Sequence, residues 1–142
     1  MIQDNDVNRV LKNDGVERVD LTSFVNPVTI SFNQIKNRMG TGSWAVRVFY
    51  NRDFGGVIIK QLPDEGNRLH HHPDADECWI ILEGVLEWEI VGEGNKIVKE
   101  GDIVVVKANT KHRITNIGTG PAIRLAITKP DVGHVYSEEE RK

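Results

Sequence analysis

The chain has 142 residues, with 18 Lys plus Arg against 21 Asp plus Glu and a pI near 5.9. That length suits one domain with a single core, and the near-balanced charge lacks the basic footprint of a nucleic-acid binder. The longest aliphatic run, Ile103 to Val106, falls far short of the roughly 20 residues that cross a bilayer, so neither nucleic acid nor membrane is an expected partner.

Residues 1 to 24 read as an arm. Its first stretch, MIQDNDVNRV, has no apolar core of the kind a signal peptide needs, and the lone cysteine, Cys78, precludes an intrachain disulfide and suits a reducing cytoplasm. Val7, Val10 and Leu11 have the spacing of a short amphipathic turn that Asn13 to Gly15 would stop. Val16, Val19, Leu21 and Phe24 are then free to lie against the body of the protein or a partner subunit. Residues 28 to 36, VTISFNQIK, alternate and predict a strand, followed by a loop over Asn37 to Ser43. From Trp44 the period is two: WAVRVFY is one strand, Asn51 to Gly56 a turn, and VIIKQL a second strand before Pro63. VLEWEIV places Leu86, Trp88 and Ile90 on one face and Glu87 and Glu89 on the other, ahead of a turn over Gly92 to Asn95. Gly101 to Val106 predicts a buried strand and Lys107 to Thr110 a turn, with Asn109 where positive φ is wanted. Lys111 to Asn116 is the next strand. In AIRLAIT, after the turn at Gly118 to Pro121, Ile123, Leu125 and Ile127 lie opposite Arg124. Pro130 to Lys142 reads as a tail ending in the charged run SEEERK. Many short strands and little helical period predict an all-β barrel or sandwich: an arm over 1–27, a β-barrel over 28–130 and a tail over 131–142.

The stretch from His70 to Gly84, HHHPDADECWIILEG, concentrates imidazole and carboxylate groups at separations that suit one shared metal ion. In a strand, His70 and His72 project to one side and His71 to the other. Pro73, Asp74 and Asp76 are turn formers that would fold the chain back, so that Glu77 begins the returning strand opposite His72. Downstream, His112 falls on the face of Ile114 and can point inward.

These two segments resemble the paired signature motifs of the cupin superfamily. His70, His72, Glu77 and Gly84 stand in the first motif's pattern of H-x-H, four residues, E, six residues, G; Gly101, His112 and Asn116 fit the second. Three positions depart: Gly66 lies closer to His70 than the motif's leading glycine, and Lys107 and Asn109 replace a proline and a glycine. The resemblance, direct over about residues 64 to 116, implies a single-domain cupin-type β-barrel, the double-stranded β-helix or jelly-roll. It implies His70, His72, Glu77 and His112 as ligands of one divalent transition metal ion, with Fe, Mn, Ni, Co, Cu and Zn all compatible, and it implies a homodimer.

Three neutral imidazoles and a carboxylate leave a six-coordinate ion with two open positions. With Fe(II) this implies dioxygenation of a chelating substrate; with Zn, Mn or Ni it implies Lewis-acid isomerase, epimerase or lyase chemistry, or a small-ligand-binding module without turnover. A small, anionic molecule is the expected substrate. Trp79 and Ile81 share the face of Glu77 and would wall the pocket. Arg68, with the parity of His70, is the first candidate anion anchor, with Arg47 and Lys60 behind it.

Overall fold

The computed structural model describes residues 2–137; the end of the charged run, from 138 on, lies outside the described residues. In chain order the elements are β1 (Ile2–Asp4), α1 (Val7–Asn13), β2 (Arg18–Asp20), α2 (Phe32–Met39), β3 (Trp44–Tyr50), β4 (Gly55–Gln61), β5 (His70–His71), β6 (Glu77–Glu83), β7 (Val85–Ile90), β8 (Gly94–Lys99), β9 (Ile103–Val106), β10 (His112–Asn116), β11 (Ala122–Thr128) and β12 (His134–Tyr136). They form two six-stranded sheets, ordered β1-β12-β5-β10-β7-β8 and β2-β3-β4-β11-β6-β9. Consecutive strands cross between sheets, as β5 to β6 and β9 to β10 do, which is the winding of a double-stranded β-helix.

Two apolar clusters hold the sheets. Between them lie Ala45, Ile59, Trp79, Ile81, Trp88 and Ile114, with Leu11 and Val16 at one end. The second cluster covers the outer face of the β2–β9 sheet, where Trp44, Val46, Ile58 and Ile123 meet Ile35 and Met39 of α2. Both faces of β3 are therefore buried: Ala45 faces the barrel interior and Trp44 and Val46 face the helix.

That helix corrects the expected strand at 28–36. Ser31 caps it by accepting from the Gln34 N–H at 3.2 Å, and Gly40, at φ 74°, ends it. Phe32, Ile35 and Met39 have the three-and-four spacing of one helical face, whereas Val28 and Ile30, which carried the apparent alternation, are exposed. Burying Ile35 and Met39 contributes about 1.5–3 kcal/mol each. A second correction concerns β9, the last strand of its sheet: Val104 and Val106 are buried, but Ile103 and Val105 are 67% and 63% exposed, so among the described residues its outer face is left uncovered. The predicted turn of Val7 to Leu11 is helix α1, capped by Asp6, which accepts from the Asn8 and Arg9 amides. Within the segment read as a tail, β12 pairs with both β1 and β5.

Candidate metal centre

The turn over residues 73–76 and the turn over 107–110 hold each other. The Asn109 amide, at φ 65°, donates to the His72 carbonyl at 2.8 Å, and the Ala108 amide donates to Asp76 Oδ1 at 2.8 Å. Strand β10 lies beside β5 with His112 directly opposite His70. As parity predicts, His70 and His72 are both buried while His71 is half-buried on the other side. His112 is buried with Ile114, and Glu77 opens β6. One ligand atom from each of His70, His72, Glu77 and His112 falls within 4.8 Å of the others.

The imidazoles are oriented by backbone carbonyls. Nδ1 of His70 lies 2.7 Å from the Arg68 carbonyl, Nδ1 of His72 2.8 Å from that of Gly133, and Nδ1 of His112 2.9 Å from that of Thr110. A carbonyl only accepts, so each Nδ1 carries the proton and each Nε2 is left as the group that turns inward. His112 Nε2 is buried without a hydrogen-bond partner, while His72 Nε2 meets Glu77 Oε1 at 2.6 Å. Nitrogen donors at about 2.0–2.1 Å from one ion require a convergence of this size, so the residues present fit a divalent metal.

Burial pushes the His70 pKa well below its ordinary value, and the neighbouring imidazoles His112, His134 and His72 add to the effect. Burial also lowers His112, against the pull of Glu77. Burial favours the neutral form of His72 too, but the hydrogen bond and charge of Glu77 outweigh it and the pKa is raised. Glu77 is the mirror case: burial raises its pKa, and His72 brings it below the usual value. His72 and Glu77 thus favour each other's charged forms, while burial favours the neutral imidazole at His70 and His112.

A cavity of about 80 Å³ adjoins the cluster, with His70, Glu77, Trp79, Arg124 and His134 on its wall and Val7, Val10, Leu11 and Asp14 of the α1 segment closing it. This volume is several times what one water needs. Trp79 takes the predicted wall position, its ring edge-on to His112 at 5.4 Å. Ile81 is buried on the same face but deeper, in the core. The three predicted cations are turned elsewhere. Arg68 Nε bonds Asp14 Oδ1 at 2.7 Å and its guanidinium lies 3.7 Å from the Tyr136 ring centroid. Arg47 stacks on Tyr50 at 4.0 Å, and Lys60 Nζ donates to the Gly40 carbonyl on the outer face. None of the three lines the cavity. Cys78 faces away from Glu77's side, its thiol pKa pushed up by burial and by Glu77.

Two residues of the site were not assigned from sequence. His134 stacks on His70 with centroids 5.2 Å apart and meets His72 edge-on at 4.6 Å; burial, then the charge of His72, brings its pKa to about 4. Arg124 is buried on the interior face of β11. Its opposition to Ile123 and Leu125 was legible, but the helical period at 32–39, which shows that those two residues are covered from outside, is the signal that places Arg124 inside.

Two crossed sheets enclosing a buried three-imidazole, one-carboxylate cluster define a double-stranded β-helix with a candidate metal centre. The Cupin domain family model matches residues 57–128, half of the chain, and the chain belongs to the cupin family. Among curated relatives, MJ1618 of Methanocaldococcus jannaschii is 34% identical over 70 residues, 49% of this chain and 55% of that one. The chain spans between 33 and 57% of the length of the curated relatives it matches. Among solved structures, a double-stranded beta-helix domain protein from Klebsiella pneumoniae subsp. pneumoniae MGH 78578 superposes with TM-score 0.66 at 19% identity, covering 80% of this chain and all of that one. The Lactobacillus farciminis oxalate decarboxylase formate complex superposes with TM-score 0.57 at 22% identity, covering 62% of this chain and 28% of that one.

Proposed function

We propose that this protein is a mononuclear metalloenzyme in which His70, His72, Glu77 and His112 hold one divalent transition metal ion, and that it oxidises a small, anionic, chelating substrate with O₂ in the manner of a dioxygenase. The observation that carries this reading is the set of three Nδ1–carbonyl hydrogen bonds, which hold three imidazoles beside one carboxylate, with His70 and Glu77 of that cluster on the wall of a cavity. When bound, the ion would supply Lewis acidity and, if redox-active, one-electron chemistry toward O₂. Trp79 and the α1 residues exclude bulk water, which strengthens polar contacts made inside. His134, whose Nδ1 donates to the Val132 carbonyl at 3.2 Å, presents its remaining nitrogen as an acceptor for a substrate hydroxyl. A lyase or isomerase is the second reading, favoured by the fold shared with an enzyme whose substrate is oxalate. A homodimer in the cytoplasm is the setting we propose.

Elemental analysis of protein purified without chelator or nickel resin tests the centre. His72→Ala and Glu77→Ala should lose most of the metal with the fold retained, and His71→Ala should keep it; full occupancy in the first two would refute the assignment. The metal-loaded protein is then offered sugar acids, keto acids and diols under an oxygen electrode, with product analysis. O₂ uptake supports the first reading, conversion without uptake the second, and binding without conversion refutes both.

A further inference from the structure

One cation enters the barrel without a counter-charge. Arg124 is 2% exposed, and its neighbours across the ladder are Ile59 of β4 and Ile81 of β6, both apolar. A guanidinium is almost never buried without a paired carboxylate or a full set of acceptors, because it loses its hydration there. Among the described residues Arg124 has a single acceptor: Nη1 donates to Gln61 Oε1 at 2.7 Å, and Nε has no partner. Burial draws its pKa down to about 10 against the more distant pull of Glu77 and Asp14. Those two carboxylates are committed elsewhere, Glu77 to His72 at 2.6 Å and Asp14 to Arg68 at 2.7 Å.

Gln61 is itself fixed, since its backbone carbonyl accepts from Asn116 Nδ2 at 3.1 Å, so the guanidinium is held in one place. That place is the wall of the cavity shared by His70, Glu77 and His134. Of the other cations near this end of the barrel, Arg68 is paired with Asp14, with its Nη2 buried and unpartnered, and Arg47 stacks on Tyr50; neither lines this cavity. A costly, pre-positioned fork of donors with unused hydrogen-bonding capacity suits a planar anion, and a cavity of about 80 Å³ has room for one of only a few heavy atoms.

We infer that Arg124 is the anion-recognising residue of this cavity, and that it takes the carboxylate of a small α-hydroxy or α-keto acid lying beside the His70–His72–Glu77–His112 cluster. The inference rests on the proposed function and narrows its substrate class. A divalent ion held by one carboxylate and neutral imidazoles keeps a net positive charge, and Arg124 adds a second. A monoanion that spans both is favoured over a neutral molecule of the same shape.

The test is calorimetric titration of the full chain, metal-loaded and chelator-treated, with glycolate and with its neutral counterpart glycolamide. Glycolate should bind both forms, more tightly when metal is present, and glycolamide should bind at least tenfold more weakly. Arg124→Met should weaken glycolate by about 10- to 100-fold, the range for a charge-assisted hydrogen bond, with metal content unchanged. Its melting temperature without ligand should hold or rise, since removing an unmatched buried charge is not destabilising. Arg124→Lys should be intermediate, keeping the charge and losing the fork. Equal affinity for glycolate and glycolamide, or undiminished glycolate binding in Arg124→Met, would overturn the inference. If that variant does not fold, the glycolate–glycolamide ratio in the unaltered protein decides the matter. Metal bound normally with no glycolate binding defeats this inference alone, whereas glycolate binding to a protein that takes no metal defeats only the metalloenzyme reading.

Discussion

Asn116 is the buried tie between the ends of β10 and β4 and the loop that leads into β11, and its removal gives a defined loss. Its Nδ2 donates to the carbonyls of Gln61 at 3.1 Å and Gly120 at 3.0 Å, and its Oδ1 accepts from the Gly118 amide at 2.9 Å. Asn116→Ala deletes all three bonds. Each is worth about 1 kcal/mol net, with a further penalty wherever the abandoned group stays dry, so the expected loss is about 3–4 kcal/mol from a total of the order of 5–15 kcal/mol. Urea unfolding should show a lowered midpoint with an unchanged slope. Asn116→Asp retains the acceptor for Gly118 but sets a carboxylate against two carbonyls, so at pH 7 it should be no better than alanine. Its folded-state pKa is then raised above the ordinary value of about 3.9, the folded state binds the extra proton first, and stability recovers as pH falls toward 5. A loss under about 1 kcal/mol in the alanine variant, or a pH-independent aspartate variant, would refute the reasoning. Because the Gln61 backbone is anchored by Asn116, glycolate affinity should fall in both variants.

Metal uptake should release protons over a pH range that extends above the ordinary imidazole titration, because Glu77 raises the His72 pKa and a ligating Nε2 must give its proton up. Calorimetry in buffers of different ionisation enthalpy should show this release, and apparent affinity should rise with pH until His72 is neutral in the metal-free state; affinity flat between pH 6 and 8 would contradict the raised pKa. Gly66 runs so close to β10 that an added Cβ would sit 2.2 Å from the Ile114 carbonyl oxygen. Gly66→Ala should therefore cost about 2 kcal/mol or more and lower metal content by displacing the strand that carries His112, as read by chemical unfolding and elemental analysis; unchanged metal content would show that β10 tolerates the shift.

Most strands between Trp44 and Thr128 were legible because period two survives in the sequence; β8 was not, because it is exposed over most of its length and its first two residues fall in the stretch Gly92 to Asn95 that reads as a turn. AIRLAIT coincides with β11, and the parity of His70, His71 and His72 is as read. The candidate ligands were legible because their offsets repeat a known pattern. Alternation does not say which face is inside, however. On β11 the aliphatic residues Ile123 and Leu125 are covered by α2 and Arg124 takes the interior, the reverse of what hydrophobicity alone favours. Residues 28–36 misled for a related reason: Val28, Ile30 and Phe32 alternate, but only the face begun by Phe32 and continued by Ile35 and Met39 has a surface to cover.

The segments outside residues 57–128 supply the orientation that the signature residues lack. Asp14, at the C-terminal cap of α1, binds the Arg68 side chain, and the Arg68 carbonyl fixes the tautomer of His70. Gly133 does the same for His72 from the loop before β12, while β12 brings His134 against both rings. Val7, Val10 and Leu11 then close the cavity. A chain reduced to the family-matched residues would keep all four candidate ligands, yet lose Gly133, the partner of Arg68 and one wall of the cavity. His72 would then lose the carbonyl that orients it and His70 the ring stacked on it, and a rotated imidazole presents the wrong nitrogen. The motif therefore specifies which atoms can bind, and the terminal segments specify that they bind in register with the cavity.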